Sequence, residues 1–124
     1  MQFLMLVYTD PVMMAAVDEA EFDTLMRGCL EHADELRACG SLTHSQQLEH
    51  PRTARSIRVR DGRMSVVDGP FSETKEMLAG FNLIEADSLD EAVRIAQEFP
   101  WIGTGSIEVR PVRDFDAVRR RVGA

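Results

Sequence analysis

The sequence predicts an α+β fold in which two helices pack on one face of a mostly antiparallel sheet. Apolar alternating runs and amphipathic runs follow one another in the order β-α-β-hairpin-β-α-β. Asp61-Gly62 separates two alternating runs, which is the strongest short sequence signal for a β-hairpin. Ser88-Leu89-Asp90-Glu91 forms a capping box, which marks the start of the second helix.

Composition favours one soluble domain over residues 1–124, with a core at 1–112 and a tail at 113–124. Of the 124 residues, 44% are hydrophobic and 28% charged, and the net charge is −7. A net negative charge disfavours direct nucleic-acid binding, which needs a basic patch. No apolar run reaches the ~20 residues that a membrane span needs. The N-terminus lacks the basic region and cleavage site of a signal peptide, so we expect a cytoplasmic protein.

The first half predicts a buried strand and a long helix. The run from Phe3 to Tyr8 is almost wholly apolar, as in an interior strand. Residues 11–17 are expected to form a connector. A helix from about Asp18 to Ala38 follows, and Gly40 suits the turn beyond its end. Its apolar stripe consists of Phe22, Leu25, Met26, Cys29, Ala33 and Leu36.

Cys29 and Cys39 fall in this one helix, ten positions apart. Ten residues of helix span roughly 15 Å, which is too far for a disulfide between them. We therefore expect two free thiols in a reducing compartment, and a disulfide between two molecules is the alternative.

The middle of the chain predicts a polar edge strand and a hairpin. In the strand from Ser41 to Leu48, counting by two places Leu42 and His44 on one face. The hairpin runs from Arg55 to Asp68. With the turn at Asp61-Gly62, Arg55 lies directly opposite Asp68 on the neighbouring strand. The same register gives the hairpin one apolar face, made of Ile57, Val59, Met64 and Val66.

The last third repeats the strand–helix–strand pattern. In the strand from Phe81 to Ala86, Phe81 and Leu83 point to one face, and Asn82 and Ile84 to the other. The second helix is stopped by Pro100, and the last strand covers Ser106 to Val112. Residues 114–124, which include three consecutive arginines, are expected to form a frayed or partner-bound tail.

This order of elements predicts a ferredoxin-like sandwich with an extra hairpin, of the dimeric α/β-barrel type. Two helices cover only one face of such a sheet. We expect Phe3, Met5 and Phe81, or their neighbours, on the other face, and we expect a homodimer to bury it.

The stretch from Asp68 to Glu76 is the most polar segment between two strands. Asp68 is a candidate acid–base group, with Glu73 and Glu76 as further candidates, and Lys75 could bind an anionic ligand. Other interpretations stand beside these. Arg55 could hold Asp68 in an ion pair, Asp68 could cap an Asx turn, and the remaining charges could belong to a solvated turn.

This loop and its surroundings resemble a known family. Asp68-Gly69-Pro70-Phe71, followed by Glu73-Thr74-Lys75-Glu76 and Gly80-Phe81, is similar to the signature of DGPF-type members of the YCII-related family. The second helix and the closing strand, through Leu89-Asp90-Glu91-Ala92 and Ile107-Glu108-Val109-Arg110-Pro111, match as well. The resemblance covers residues 1 to about 112.

The resemblance implies a dimeric ferredoxin-like fold in a bacterial cytoplasm. It also implies a histidine–aspartate pair with a suggested enzymatic role but no agreed reaction. His32 matches that histidine by position, and Asp68 matches the aspartate by motif. Some relatives are associated with sigma factors of the extracytoplasmic-function type.

These observations predict His32 and Asp68 as an acid–base pair, with binding residues Arg55, Arg58, Lys75, Phe71 and His44. His32 could equally be a partly exposed helix histidine with no such role. No cofactor and no metal site are predicted, because no pair of histidines has ligand spacing. Three functions remain open: an acid–base enzyme, a small-molecule binder without turnover, and a regulatory partner of a sigma factor.

Overall fold

The computed structural model describes residues 1–70 and 74–124 and confirms the predicted order of elements. Two 3₁₀ turns, Pro51–Thr53 and Pro100–Thr104, join the regular elements. The strands and helices in chain order are β1 Gln2–Thr9, α1 Pro11–Ala15, α2 Glu19–Ala38, β2 Leu42–Gln47, β3 Arg55–Arg60, β4 Arg63–Asp68, β5 Met77–Glu85, α3 Leu89–Gln97, β6 Gly105–Pro111 and α4 Phe115–Val122.

The main sheet has the strand order β2-β5-β1-β6, and all its neighbours are antiparallel. This is the order of a ferredoxin-like sandwich, so the predicted fold is confirmed. Helix caps agree with the sequence, since the side chain of Asp18 accepts from the Glu21 N–H and that of Ser88 accepts from the Glu91 N–H.

The core lies between the sheet and helices α2 and α3. Its largest fully buried side chains are Phe3, Met5, Ile84 and Phe99. Phe3 lies opposite Ile84 and Met5 opposite Asn82, which puts them on the helix-covered face. The expectation that Phe3 and Met5 themselves lie on the open face is therefore wrong.

The open face instead carries the neighbours of Phe3 and Met5 in β1, together with Phe81 of β5. A continuous apolar run such as β1 does not reveal which residues face the helices, and only pairing with β5 decides it. The half-buried apolar residues on the open face are Leu4, Leu6, Tyr8, Phe81 and Leu83.

The face assigned to His44 is also wrong. A register shift separates Leu42 from His44, so Leu42 lies opposite Ile84 while His44 lies opposite Leu83. The irregularity moves His44 to the open face and leaves Leu42 buried in the core.

The hairpin β3–β4 forms in the predicted register, from Arg55 opposite Asp68 to Arg60 opposite Arg63. Asp61 and Gly62 have φ values of 52° and 74°, as the two-residue turn requires. The hairpin is a separate two-stranded sheet, and its apolar residues are exposed, with Met64 at 72% and Ile57 at 60%.

Two segments are more regular than expected. Residues 11–15 form the short helix α1, whose N-terminus is capped by the Asp10 side chain. The expected tail contains the helix α4, which is capped by Asp114 and ends at Gly123 in the left-handed conformation. In the part of the chain that the structure describes, no helix has the length and apolar character needed to cross a membrane.

Candidate functional site

A cavity of about 760 Å³ lies between helix α2 and the helix-covered face of the sheet. Strands β1, β2 and β5 form its floor, α2 forms one wall, and the segment around Trp101 closes one side. The lining is mainly apolar. It includes Val7, Phe22, Met26, Cys29, Leu30, Ala33, Leu48, Met77, Phe99 and Trp101.

The cavity exists because the sheet carries short side chains at this end. The helix-facing positions at the other end hold Phe3, Ile84 and Leu42, which fill the core. At the cavity end, the same rows continue with Gly80 and Ser45. A Cβ on Gly80 would come within 2.7 Å of the Gln46 carbonyl oxygen, so glycine also permits the close approach of β2.

Aromatic side chains give the cavity a rigid wall. Trp101 is only 7% exposed, and its ring centroid lies 5.5 Å from that of Phe22 at an interplanar angle of 51°. Such a tilted pair is a favourable aromatic arrangement. Flat apolar molecules therefore find a preformed surface here.

The described lining also includes residues with polar side chains, namely Thr9, Ser45, Gln46, Gln47, Glu49, His50 and Asn82. Burial raises the pKa of the Cys29 thiol, and a hydrogen bond with Trp101 acts in the opposite direction. His50 lies in the loop after β2, and its Nδ1 accepts from the Arg52 N–H at 3.0 Å. Asn82 lies on the floor and is 5% exposed. The cavity is thus suited to binding by burial, with a small number of hydrogen-bonding groups.

The structure places the predicted pair His32 and Asp68 in different surroundings. His32 packs edge-on against Phe99 with a centroid distance of 4.6 Å, and its Nε2 lies 3.6 Å from Glu98 Oε2. Its Nδ1 lies 3.9 Å from Glu35 Oε2. The Nε2 atom of His32 is buried and has no hydrogen-bond partner in the described part of the chain. These contacts place His32 between α2 and α3.

Asp68 lies at the end of the hairpin and pairs with Arg55, with a distance of 3.3 Å between Oδ1 and Nη1. The two side chains are 84% and 74% exposed. Gly69 follows with φ 87°, donates its N–H to the Ala54 carbonyl, and accepts from the Ser56 hydroxyl at 2.6 Å. The start of the loop signature therefore fastens the base of the hairpin.

The other predicted binding residues are dispersed. Arg58 is half-buried in β3 opposite Ser65, and His44 is exposed on β2. Lys75 lies 3.8 Å from Asp10, whose carboxylate is buried. Phe71 and Glu73 lie outside the described residues. None of the six described candidates lines the large cavity.

A second, smaller cavity of about 550 Å³ includes Lys75. It lies beside the ends of β1 and β6, where Tyr8 and Glu108 contribute to its lining. Glu76 and Ser106 form a short hydrogen bond across it. Lys75 in this lining is paired with the Asp10 carboxylate, so it already has a protein partner.

Sequence reasoning missed the cavity and its most telling residues, Asn82 and Trp101. A signal for Asn82 was present, because a polar residue in the middle of an apolar strand on the same face as Ile84 points into the core. No local pattern could indicate Trp101, which joins the site only through the packing of the 3₁₀ turn against α2.

Comparison with known proteins agrees with this architecture. The family model of the YCII-related domain matches residues 1–116. The chain belongs to the YCII-related family. This YCII-related chain is also 36% identical over 114 residues to an uncharacterized protein of Rhizobium meliloti (strain 1021), covering 90% of this chain and 92% of that protein.

A solved structure supports the YCII-related fold. The 5-chloro-2-hydroxyhydroquinone dehydrochlorinase of Burkholderia phenoliruptrix AC1100, in complex with 2,5-dihydroxybenzoquinone, superposes with a TM-score of 0.52. The match covers 91% of this chain and 94% of that one, at 17% identity. At this identity, the similarity concerns the fold.

Proposed function

We propose that this protein binds a small, mainly apolar molecule in the cavity between α2 and the sheet. The observation that carries the proposal is a cavity of about 760 Å³ with an apolar and aromatic lining. Ligand sites typically have about 300–1,000 Å³ and a few polar groups in an apolar wall. The dehydrochlorinase of similar fold was solved with a small quinone, which supports a small-molecule ligand here.

Tetralin is a suitable first probe, because it is neutral, apolar and smaller than the cavity. In an ¹H–¹⁵N NMR titration we expect shifts of the amides of Gly80, Asn82 and Ser45. The amides of Val59 and Met64 in the hairpin should not move, because they lie outside the lining.

A blocking variant makes this test specific. Ser45 lies opposite Asn82, so Ser45→Phe places a ring in the cavity and should abolish the shifts. Ser65→Phe adds the same ring to the exposed strand β4 and should leave them unchanged. Absence of shifts in the unmodified protein, or equal shifts in Ser45→Phe, would overturn the proposal.

We also propose that a second copy of the chain covers the open face of the sheet. The support is a row of half-buried apolar side chains in β1 and β5, together with the exposed apolar residues of the hairpin. Glu108 and Arg110 lie on the same face and offer both signs of charge to a symmetric contact.

An acid–base activity of His32 and Asp68 stays a prediction with a direct test. If these groups act together, Asp68→Asn and His32→Gln should each reduce the turnover of a substrate found through the cavity. Unchanged turnover in both variants would overturn the acid–base role of this pair.

The regulatory alternative, a partnership with a sigma factor, is supported by helix α4. Its three arginines and Phe115, which is exposed, form a surface that suits an acidic protein partner. Deleting residues 113–124 should abolish the retention of a purified sigma factor and spare the NMR shifts caused by tetralin. Equal retention by the truncated protein would contradict this role.

A further inference from the structure

Asn82 is a buried polar residue of the main sheet that lines the large cavity. It lies in the central strand β5, between Met5 of β1 and Ser45 of β2, and is 5% exposed. Its side chain lines the large cavity. Within residues 1–70 and 74–124, its amide forms no side-chain hydrogen bond.

Among the described residues, His32 Nε2 is the one fully buried side-chain atom without a partner, so the Asn82 amide keeps some contact with the cavity interior. A ligand that covers this amide without pairing with it would leave it unsatisfied, at a cost of about 1–3 kcal/mol. The position on the helix-covered face would suit an apolar residue, as Ile84 two positions later shows. The amide instead presents one acceptor and two donor hydrogens toward the cavity.

The charges around the cavity restrict what can meet this amide. The lining contains one carboxylate, from Glu49, and among its described residues no lysine or arginine. Apart from the imidazole of His50, no side chain of the described lining can supply a positive charge to a bound carboxylate or phosphate, and an unpaired buried charge is strongly unfavourable. The amide is therefore suited to a neutral partner.

We propose that Asn82 recognises a neutral, planar ligand through an edge that carries a hydrogen-bond donor beside an acceptor, such as a lactam or a carboxamide. The Asn82 oxygen accepts from the ligand N–H, and the Asn82 NH₂ donates to the ligand carbonyl. The remaining ring of the ligand packs between Phe22, Met26 and Trp101. This assignment rests on the proposed binding function and names the chemical class of its ligand.

Three probes of one shape test the assignment. 3,4-Dihydroquinolin-2-one offers both donor and acceptor, 1-tetralone offers only the acceptor, and tetralin offers neither. The dissociation constants are measured by ¹H–¹⁵N NMR titration of the unmodified protein and of Asn82→Leu. The variant should weaken the lactam roughly tenfold relative to tetralin, because it removes two hydrogen bonds of modest strength. The tetralone should show an intermediate effect.

A second measurement separates recognition from a structural role. If Asn82 has no partner in the unliganded protein, Asn82→Leu should raise the melting temperature without ligand. A residue with a structural hydrogen bond would instead lower it. Asn82→Ala keeps the lactam test available if the larger leucine disturbs the core, since it removes the same hydrogen bonds without adding volume.

The outcomes are distinguishable. If neither tetralin nor the lactam shifts the cavity amides, the proposed binding function fails, and the role of Asn82 fails with it. If tetralin binds but Asn82→Leu and Asn82→Ala change all three probes equally, the role of Asn82 is wrong while cavity binding stands. A carboxylate probe, 1,2,3,4-tetrahydro-2-naphthoate, binding as tightly as the lactam would also overturn the neutral class.

Discussion

Asp68, the first residue of the loop signature, forms an ion pair within the hairpin. Its exposed ion pair with Arg55 closes the end of the β3–β4 ladder, and the next residue, Gly69, is held by two hydrogen bonds. Exposed ion pairs contribute little to stability, whereas a positive φ constrains the residue type strongly. Gly69 therefore contributes more to the stability of this motif than Asp68 does.

Two substitutions compare these neighbours. We expect Asp68→Ala to change the free energy of unfolding by at most about 1 kcal/mol, since the ion pair is exposed on both sides. Gly69→Ala should cost about 1–2 kcal/mol, because φ at this position is 87°. Urea unfolding measures both values. A larger loss from Asp68→Ala than from Gly69→Ala would contradict this ranking.

The two cysteines differ in their surroundings. Hydrogen bonds with Ser41 lower the pKa of the Cys39 thiol, which is exposed at the end of α2, while burial raises the pKa of Cys29 in the cavity. The thiolate is the reactive form, and a lower pKa increases its fraction at any pH below that pKa. We therefore expect iodoacetamide to modify Cys39 first and at a lower pH than Cys29.

Peptide mass spectrometry after a pH series reports both rates. A bound cavity ligand should protect Cys29 and leave the rate of Cys39 unchanged, so Cys39 serves as an internal control. Faster modification of Cys29 than of Cys39 near pH 7 would show that the cavity thiol is more accessible than the structure indicates.

At the scale of elements, the start of β6 depends on a close backbone contact. A Cβ on Gly105 would lie 1.9 Å from the Tyr8 carbonyl oxygen of β1, although the φ of 177° is ordinary extended backbone. The contact, and not the backbone angle, excludes larger residues. At Gly103, two residues earlier, a Cβ would meet no described heavy atom within 4 Å.

These two glycines form a matched pair. Gly105→Ala should destabilise the protein by about 1–3 kcal/mol or more, because β1 and β6 must move apart. Gly103→Ala should be neutral or stabilise by up to about 1 kcal/mol through the unfolded chain. Thermal unfolding of both variants gives the comparison. Equal melting temperatures would mean that the strands separate there at no cost.

At the scale of the whole molecule, the main sheet is covered by helices on one face, and the hairpin extends an apolar surface into solvent. A symmetric dimer buries such surfaces at once, because each copy offers the same patch to the other. In the proposed dimer, the second copy covers the open face of the sheet.

Sedimentation velocity tests this assembly. We expect the unmodified chain to sediment as a dimer and Leu6→Glu to shift it to a monomer, because the new charge lies in the middle of the open face. Glu31→Lys on the outer surface of α2 is a control that should leave the dimer intact. A monomeric unmodified chain at all concentrations would refute the dimer.

Local chemistry in the sequence is enough to predict the order of elements, the register of the hairpin and the cap of α3. These features depend on neighbouring residues, namely Asp61-Gly62 at the turn and Ser88 with Glu91 at the cap. The amphipathic period of α3 and the alternation in β5 likewise separate the residues of the two faces.

Only packing between distant segments determines which face of β1 meets the helices, where His44 points and where a ligand fits. In a wholly apolar strand, the residue pattern does not show which side chains face the core. In β2, a register shift reverses the faces after Leu42. The cavity arises where Gly80 and Ser45 from two strands meet the side of α2, far apart in the chain. Asn82 gains its significance there, because tertiary packing places its amide in the cavity lining without a hydrogen-bond partner among the described residues.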